Sequence, residues 1–130
     1  MARPTSKFPT ELELQVLNVL WDQGPKSGRD IRDELASNRE LTYQSVMTIL
    51  GIMEEKKYVT RKKSGSRFLY RAVVTQKATS KKMMRDLVNR IFGGSTHAAM
   101  IGLLEGANLD EAELTELKSE INRRAKEKKS

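Results

Sequence analysis

The sequence contains no cysteine among its 130 residues. This excludes a disulfide framework, a thiolate metal site and a cysteine nucleophile. Histidine is almost absent too: His97 stands alone beside alanines, which favours a surface or interface residue over a catalytic one. The acidic residues are scattered, and neither a glycine-rich phosphate loop nor a metal-ligand spacing is found. We therefore expect no enzyme activity, no metal and no cofactor.

Long apolar runs are also missing. None approaches the roughly 20 residues that a membrane span requires, and the first six residues have no apolar core that could serve as a secretion signal. With the lack of cysteine, this predicts a cytoplasmic protein with no membrane partner. The hydrophobic content of 38% and charged content of 32% are typical of a folded chain of one domain, or of a small domain with an appendage.

Positive charge is abundant and unevenly placed. The net charge is +7, and eleven basic residues but no acidic one lie between Lys56 and Arg85. The segment from Asp110 onwards mixes both signs. This distribution predicts that the middle of the chain contacts a polyanion. A merely solvated basic surface is the alternative.

The first half of the chain has the apolar spacing of three helices. The first is predicted between Thr10 and Gly24, the second from Ser27 or Gly28 to Asn38, and the third from Thr42 to Glu55. Thr10 and Thr42 are the expected N-caps. The pattern then changes to two β-branched and aromatic stretches, residues 58–63 and 67–73, around a Ser64-Gly65-Ser66 turn. Three helices followed by a hairpin predict a winged helix-turn-helix over residues 1–74, with the hairpin as its wing.

Three more helices are predicted in the remainder. One follows Thr75 or Thr79 and reaches Phe92, one covers 96–105, and one follows Asp110 and frays from Lys126. They carry more apolar residues than so short a segment can bury. We expect residues 75–130 to form a helical dimerisation domain, through Leu87, Ile91, Phe92, Ile101, Leu104, Leu114, Leu117 and Ile121. Folding back as a monomer is the alternative. The predicted fold class is mainly α, with an α+β wing.

The third helix has side chains suited to reading bases in a major groove. The candidates at its start are Thr42, Tyr43, Gln44, Ser45, Met47 and Thr48. Gln44 could pair with adenine, whereas Tyr43 and Met47 could pack on thymine methyls or be packing residues within the protein. The expected contacts to the DNA backbone are basic residues near the hairpin tip, Arg61, Lys62, Lys63 and Arg67. Such contacts position a protein without reading sequence.

Several motifs resemble the BlaI/MecI/CopY penicillinase-repressor family of winged-helix regulators. They are residues 9–13 and 16–21, residues 41–50, Gly65 with residues 68–70, and residues 91–95. The likeness covers roughly residues 8 to 122. It implies a homodimer that binds double-stranded DNA at an inverted-repeat operator and represses promoters, often of resistance or stress genes. It also implies a membrane sensor protease that triggers cleavage of the repressor in its dimerisation domain.

The sequence departs from this family's pattern at four points. Ile52 stands where such sequences usually have arginine, and Lys57 where they usually have glycine before the wing. The cysteine cluster of CopY-type members is missing, which excludes copper–thiolate sensing. The family's Asn-Phe cleavage dipeptide is missing as well, since two residues separate Asn89 from Phe92. Cleavage elsewhere in the same helix stays open.

Three other functions remain open from the sequence. A winged helix can serve as a protein-interaction module, although the basic segment argues against this. A ligand-responsive regulator of the MarR type would need a pocket, for which the chain is short. An architectural DNA binder would bind with strong salt dependence and little preference between operator and random DNA.

Overall fold

The computed structural model describes residues 7–36 and 41–129. Within them lie six helices and a three-stranded antiparallel sheet of order β1-β3-β2. The elements are α1 (Glu11–Gln23), β1 (Lys26–Ser27), α2 (Gly28–Ala36), α3 (Tyr43–Glu55), β2 (Val59–Ser64), β3 (Arg67–Ala72), α4 (Gln76–Ile91), α5 (Thr96–Gly106) and α6 (Glu111–Lys129). This architecture is a winged helix-turn-helix followed by helices, which confirms the predicted fold class. The predicted end of the second helix, Asn38, lies outside the described residues.

The chain divides into two compact units, Met1–Arg85 and Asp86–Ser130. The first contains the winged helix and the second contains α5 and α6. No helix in the described part of the chain is both long and apolar enough to cross a membrane. The assignment of residues 1–74 to DNA binding and 75–130 to dimerisation stays a prediction.

Both predicted N-caps of the winged helix are confirmed. At the start of α1 the Glu13 N–H donates to Thr10 Oγ1 at 3.2 Å, and the Thr10 N–H donates to Glu13 Oε1 at 2.9 Å. This reciprocal pair satisfies two amides that have no partner within the helix. At the start of α3 the Ser45 N–H donates to Thr42 Oγ1 at 3.0 Å. The cap of α3 therefore fixes where the helix begins.

The core of the first unit joins the three helices to the wing. Its buried members are Val16, Leu17, Leu20, Ile31, Leu35, Val46, Leu50, Met53, Val59 and Tyr70. Burying each aliphatic side chain of this size contributes about 1.5–3 kcal/mol. The Trp21 indole N–H also donates to the Val74 carbonyl at 2.9 Å, which ties α1 to the chain after the wing.

The two-residue strand β1 escapes the sequence analysis because it is too short to show a period. Lys26 pairs with Tyr70, and Ser27 pairs with Leu69. Ser27 then caps the next helix, since its Oγ accepts from the Asp30 N–H at 3.2 Å. The start of α2 is therefore held against β3, the second strand of the wing.

The wing hairpin runs in register from Val59 opposite Ala72 to Ser64 opposite Arg67. Gly65 turns the chain with φ of 65°, a left-handed conformation in which glycine avoids steric cost. The turn is the one that the sequence predicts.

Lys57 adopts a left-handed conformation with φ of 66° at the end of α3. The Tyr58 N–H donates to the Met53 carbonyl at 2.9 Å, and the Lys57 N–H donates to the Glu54 carbonyl at 3.0 Å. These two bonds form a Schellman motif, whose left-handed residue is usually glycine because a Cβ is strained there. The glycine that the family usually has at this position thus avoids a strain that Lys57 retains in this chain.

We expect Lys57→Gly to raise the free energy of unfolding by about 0.5–1 kcal/mol, because relieved strain outweighs the greater freedom of glycine in the unfolded chain. Urea denaturation at one fixed protein concentration measures it. Lys57→Ala is the matched control: it removes the same charge but keeps the Cβ and should bring no gain. Equal stabilisation by both variants would assign the effect to charge and contradict the prediction.

A largely buried ion pair joins the start of α1 to the end of α3. Lys56 Nζ lies 2.9 Å from Glu13 Oε2 and 3.0 Å from Oε1. The side chains are only 13% and 5% exposed. Lys56 Nζ also lies 5.7 Å from the centre of the Tyr58 ring. Burial raises the pKa of the Tyr58 phenol, which Lys56 partly counteracts. Glu13 thus both caps α1 and anchors the end of α3.

The second unit buries little of its own surface. Ala99 of α5 is buried, and the Phe92 ring packs on Gly102, where a Cβ would lie 3.7 Å from it. None of the side chains of α6 is buried. Asp110 caps α6 as predicted, because the Glu113 N–H donates to Asp110 Oδ1 at 2.8 Å. The expected fraying from Lys126 is wrong: the helix continues to Lys129, and lysines in its last turn suit the negative helix end.

Candidate nucleic-acid interface

The first turns of α3 present a polar, uncharged face to solvent. Tyr43, Gln44, Ser45 and Thr48 are exposed, as is the cap Thr42. The Gln44 amide makes no hydrogen bond to the residues that the structure describes, so both its donor and its acceptor are available to a partner. A carboxamide of this kind matches the adjacent donor and acceptor of adenine in a major groove.

The hydroxyl groups of this face are partly occupied. Thr42 Oγ1 donates to Ser45 Oγ at 2.9 Å, and Thr48 Oγ1 donates to the Gln44 carbonyl at 3.0 Å. Thr42 and Thr48 therefore keep acceptor capacity and a methyl group for a ligand, but have already committed their protons. Thr42 also acts as the N-cap of α3.

Met47 faces the interior more than solvent. It is half-buried, and a Cβ built on Gly28 would lie 2.6 Å from its Sδ. The close approach is available only because residue 28 has no side chain. Of the two interpretations that the sequence left open for Met47, the geometry favours packing between α2 and α3, and a contact to DNA stays a prediction.

The basic residues of the wing have different surroundings. Lys62 and Lys63 are exposed and, as neighbours on a strand, point to opposite faces of the hairpin. Arg61 is held in place: its Nε lies 3.5 Å from Glu54 Oε2, and its guanidinium lies 4.3 Å from the centre of the Phe68 ring. The two lysines are thus the freer cations. Arg61 carries a charge partly offset by Glu54.

A polar cleft of about 450 Å³ lies between the helix starts and the wing. It is lined by Ser27–Asp30 of α2, by Tyr43 and Met47 of α3, and by Ser66–Phe68 and Tyr70 of the wing. We call this group of residues the cleft. Arg67 Nη1 lies 4.0 Å from Asp30 Oδ2 across it, in an exposed and therefore weak ion pair.

Arg29 in this cleft was missed by the sequence analysis. Its guanidinium lies 5.3 Å from the centre of the Tyr43 ring, a distance at which a cation is attracted to an aromatic face. The sequence does contain a signal for Arg29, because an arginine in the first turn of a helix interacts unfavourably with the helix dipole. Residues that break a local rule often serve a function.

All the basic charge around α3 comes from its neighbours. Residues 43–55 include no lysine or arginine, whereas Arg29 and Arg67 line the cleft beside the start of the helix. Such an arrangement places an uncharged helix face beside cationic side chains. It is suited to a groove that exposes base edges between two phosphate backbones.

The second unit exposes a large aliphatic face. Of the eight residues predicted for dimerisation, Phe92 is half-buried and the other seven are exposed. A hollow of about 510 Å³ between α5 and α6 is lined almost entirely by aliphatic side chains, among them Leu104, Leu114, Leu117 and Ile121. Leu103 is 71% exposed. Contiguous apolar surface of this kind marks an interaction site.

No cluster of three or more potential metal ligands occurs in the part of the chain that the structure describes. His97 is exposed at the start of α5.

Comparison with known proteins gives one family match. The model of the penicillinase repressor family matches residues 9–123. The methicillin resistance regulatory protein MecI of Mammaliicoccus sciuri is 22% identical over 86% of this chain and 91% of its own length. The penicillinase repressor of Staphylococcus aureus is 21% identical over 85% and 87%. The transcriptional regulator BlaI of Mycobacterium tuberculosis is 29% identical over 79% and 76%. The solved DNA-binding domain of the repressor BlaI aligns with a TM-score of 0.48 at 22% identity, covering 55% of this chain and 90% of that domain.

Proposed function

The chain belongs to the penicillinase repressor family of DNA-binding transcriptional repressors, and from this premise we propose that it acts as a homodimer on an inverted-repeat operator. In this proposal each protomer inserts the start of α3 into a major groove, and each wing contacts the adjacent backbone. The protein is not an enzyme and represses by occupying a promoter. Because the proposed ligand is double-stranded DNA, we place the protein in the cytoplasm.

One observation carries the DNA-reading part of the proposal: the uncharged, exposed start of α3 lies beside two arginines of the cleft, Arg29 and Arg67. Gln44 and Thr48 are one helical turn apart and therefore share a face. Tyr43 is exposed beside them, with Arg29 against its ring. Lys62 and Lys63 supply charge without competing carboxylates among the described residues. The proposal thus assigns the base contacts to α3 and the backbone contacts to the wing.

The homodimer is supported by the exposed aliphatic face of the second unit. Leucine and isoleucine side chains on α4, α5 and α6 are left open to water in the single chain. Covering them with the same face of a second chain would remove this apolar area from water, which is the main favourable term in association. Two half-sites read by one dimer also raise affinity and specificity beyond those of a single winged helix.

We also propose that the regulated genes serve resistance or stress responses, because relatives carry names such as methicillin resistance regulatory protein and penicillinase repressor. Induction would come from a sensor-linked or proteolytic signal, with a sensor protease as the partner. The stretch from Asn89 to Phe92 lies at the end of α4 without the family's Asn-Phe dipeptide. A cut, if one is used, falls at a different bond.

Two substitutions separate base reading from backbone contact. Gln44→Ala is expected to weaken binding to the operator by about 1–3 kcal/mol while leaving binding to random DNA unchanged, because only base contacts carry sequence information. Lys62→Ala is expected to weaken binding to both duplexes alike and to lower the salt slope by about 1 per protomer, because one fewer phosphate is neutralised. Fluorescence anisotropy over a salt series measures both.

The opposite pattern would overturn the assignment. If Lys62→Ala changed base preference and Gln44→Ala did not, α3 and the wing would have exchanged roles. An affinity for operator equal to that for random DNA in the unmodified protein would favour an architectural binder. Failure to bind any duplex at low salt would favour a protein-interaction module, and release of DNA only by a small molecule would favour a MarR-like regulator.

A further inference from the structure

We propose that the cleft is a binding site for one phosphate group of the DNA backbone, held by Arg29, Arg67 and the Tyr70 hydroxyl. The inference rests on the proposed function and adds residues that the wing contacts do not include. It places one strand of the duplex between the start of α2 and the wing, beside the start of α3.

The first observation is an unpaired tyrosine hydroxyl that opens into the cleft from a buried side chain. Tyr70 is only 2% exposed and lines the cleft, yet its hydroxyl makes no hydrogen bond to any residue that the structure describes. Among the described residues the hydroxyl oxygen is not one of the buried atoms left without a partner, so it is accessible from the cleft and can bond a water molecule or a ligand there. A phosphate oxygen in the cleft would accept this hydrogen bond, and bonds to charged acceptors are among the stronger ones.

The second observation is the charge of the cleft. Its lining has two guanidinium groups, Arg29 and Arg67, and one carboxylate, Asp30. One positive charge is therefore left over, which matches the single negative charge of a phosphodiester. Asp30 and Arg67 are 4.0 Å apart and both are substantially exposed, so the pair between them is weak enough to be exchanged for a phosphate.

The third observation is that Arg29 is held in place before any ligand binds. Its guanidinium lies against the Tyr43 ring, and no carboxylate among the described residues pairs with it. Ser27 in β1 and the cap on Asp30 fix the backbone on either side. An ordered cation loses less conformational freedom on binding. Arginine also matches phosphate geometry with two parallel donors.

The cleft also links backbone contact to base reading. Tyr43, which lines the cleft, is a candidate for base contact, and Met47, also in the lining, packs on Gly28. A phosphate held there would set the depth at which α3 enters the groove. This follows the general division in which phosphate contacts fix register and base contacts fix specificity.

The test uses the full-length dimer, with Tyr70→Phe and Arg29→Gln as variants. Tyr70→Phe removes one oxygen and keeps the core aromatic, and Arg29→Gln removes the charge. Each is expected to lower affinity for random and operator duplexes alike by about tenfold. Arg29→Gln should also lower the salt slope by about 1 per protomer, whereas Tyr70→Phe should leave it unchanged. Lys128→Gln, at the far end of α6, is the matched charge control and should change neither.

A scan with single methylphosphonate substitutions identifies the phosphate. In the unmodified protein, neutralising one phosphate per half-site should weaken binding by about tenfold, and the same substitution should have little further effect on Arg29→Gln. Thermal unfolding of each variant without DNA checks the fold.

The outcomes are separable from those of the proposed function. Sequence-specific binding by the unmodified protein, with affinity unchanged by both variants, would overturn the phosphate site and leave the repressor assignment intact. If inorganic phosphate stabilised the unmodified protein but not Tyr70→Phe, and no methylphosphonate mattered, the cleft would bind a free anion and not a phosphate of the DNA backbone, which would overturn this proposal.

Discussion

Replacing Leu104 and Leu117 together with glutamate is expected to give a folded monomer whose affinity for the two-half-site operator is at least about 100-fold lower. Both leucines line the aliphatic hollow between α5 and α6 and are exposed in the single chain. A carboxylate there would have to be buried without a partner at the interface between protomers, which is strongly unfavourable. Without the second protomer, the gain from tethering two reading heads disappears, and this gain is about 10²–10⁴.

The matched control for this experiment is Ala112→Glu. Ala112 is exposed on the same helix, in the first turn of α6, where a negative charge suits the helix dipole. Counted from Leu114 and Leu117, it lies on the opposite face. Sedimentation should show a dimer for the control and a monomer for the double variant. A double variant that stayed dimeric and kept full operator affinity would show that this aliphatic face is not the dimer interface.

Glu13→Leu is expected to lower the free energy of unfolding by about 3 kcal/mol or more, since removing one partner of a buried ion pair leaves an uncompensated charge. The charge is that of Lys56, whose side chain is 13% exposed and whose Nζ reaches both oxygens of Glu13. The Thr10 amide also loses its acceptor at 2.9 Å. Urea denaturation, followed by circular dichroism at one protein concentration, measures the loss.

The double variant Glu13→Leu with Lys56→Met tests the reason for that loss. An apolar pair of similar volume needs no compensating charge, and such replacements are often neutral or stabilising. We therefore expect the double variant to recover most of the stability, except for the contribution of the cap, about 1 kcal/mol. Equal destabilisation by the single and double variants would show that the buried charge is not the cause.

The local features of the fold were predictable because their determinants are neighbours in sequence. Thr10 and Thr42 each lie three residues before the amide that they cap. The wing follows from the change of period around Gly65, whose positive φ fits a turn glycine. The family motifs extended this prediction to roughly residues 8 to 122, and the family match over residues 9–123 confirms that resemblance.

The features that escaped prediction join residues that are distant in sequence. Glu13 and Lys56 are separated by 43 positions, and β1 exists only because Lys26 and Ser27 meet Tyr70 and Leu69. Neither contact leaves a periodic signal. The cleft depends on the second contact, since β1 holds the start of α2 against the wing and Ser27 lines the cleft. Arg29 and Tyr70 therefore had no visible connection in the sequence.

Packing bears most directly on the side chains that are predicted to contact DNA. Met47 matches a reading residue by position on the helix, but Gly28 gives it space to pack inward. Arg61 matches a free wing cation by charge, but Glu54 and Phe68 hold it. Sequence spacing identifies the face of a helix or strand, whereas the residue opposite decides whether a side chain is free.

The central claim is sequence-specific repression by a dimer, and anisotropy with two labelled duplexes tests it most directly. One duplex carries the DNA upstream of the protein's own gene, and the other is a scrambled sequence of equal length, both measured over a salt series. We predict a clear preference for the upstream duplex, with two protomers bound per duplex. Equal affinity for both duplexes at every salt concentration, or saturation at one protomer, would contradict it.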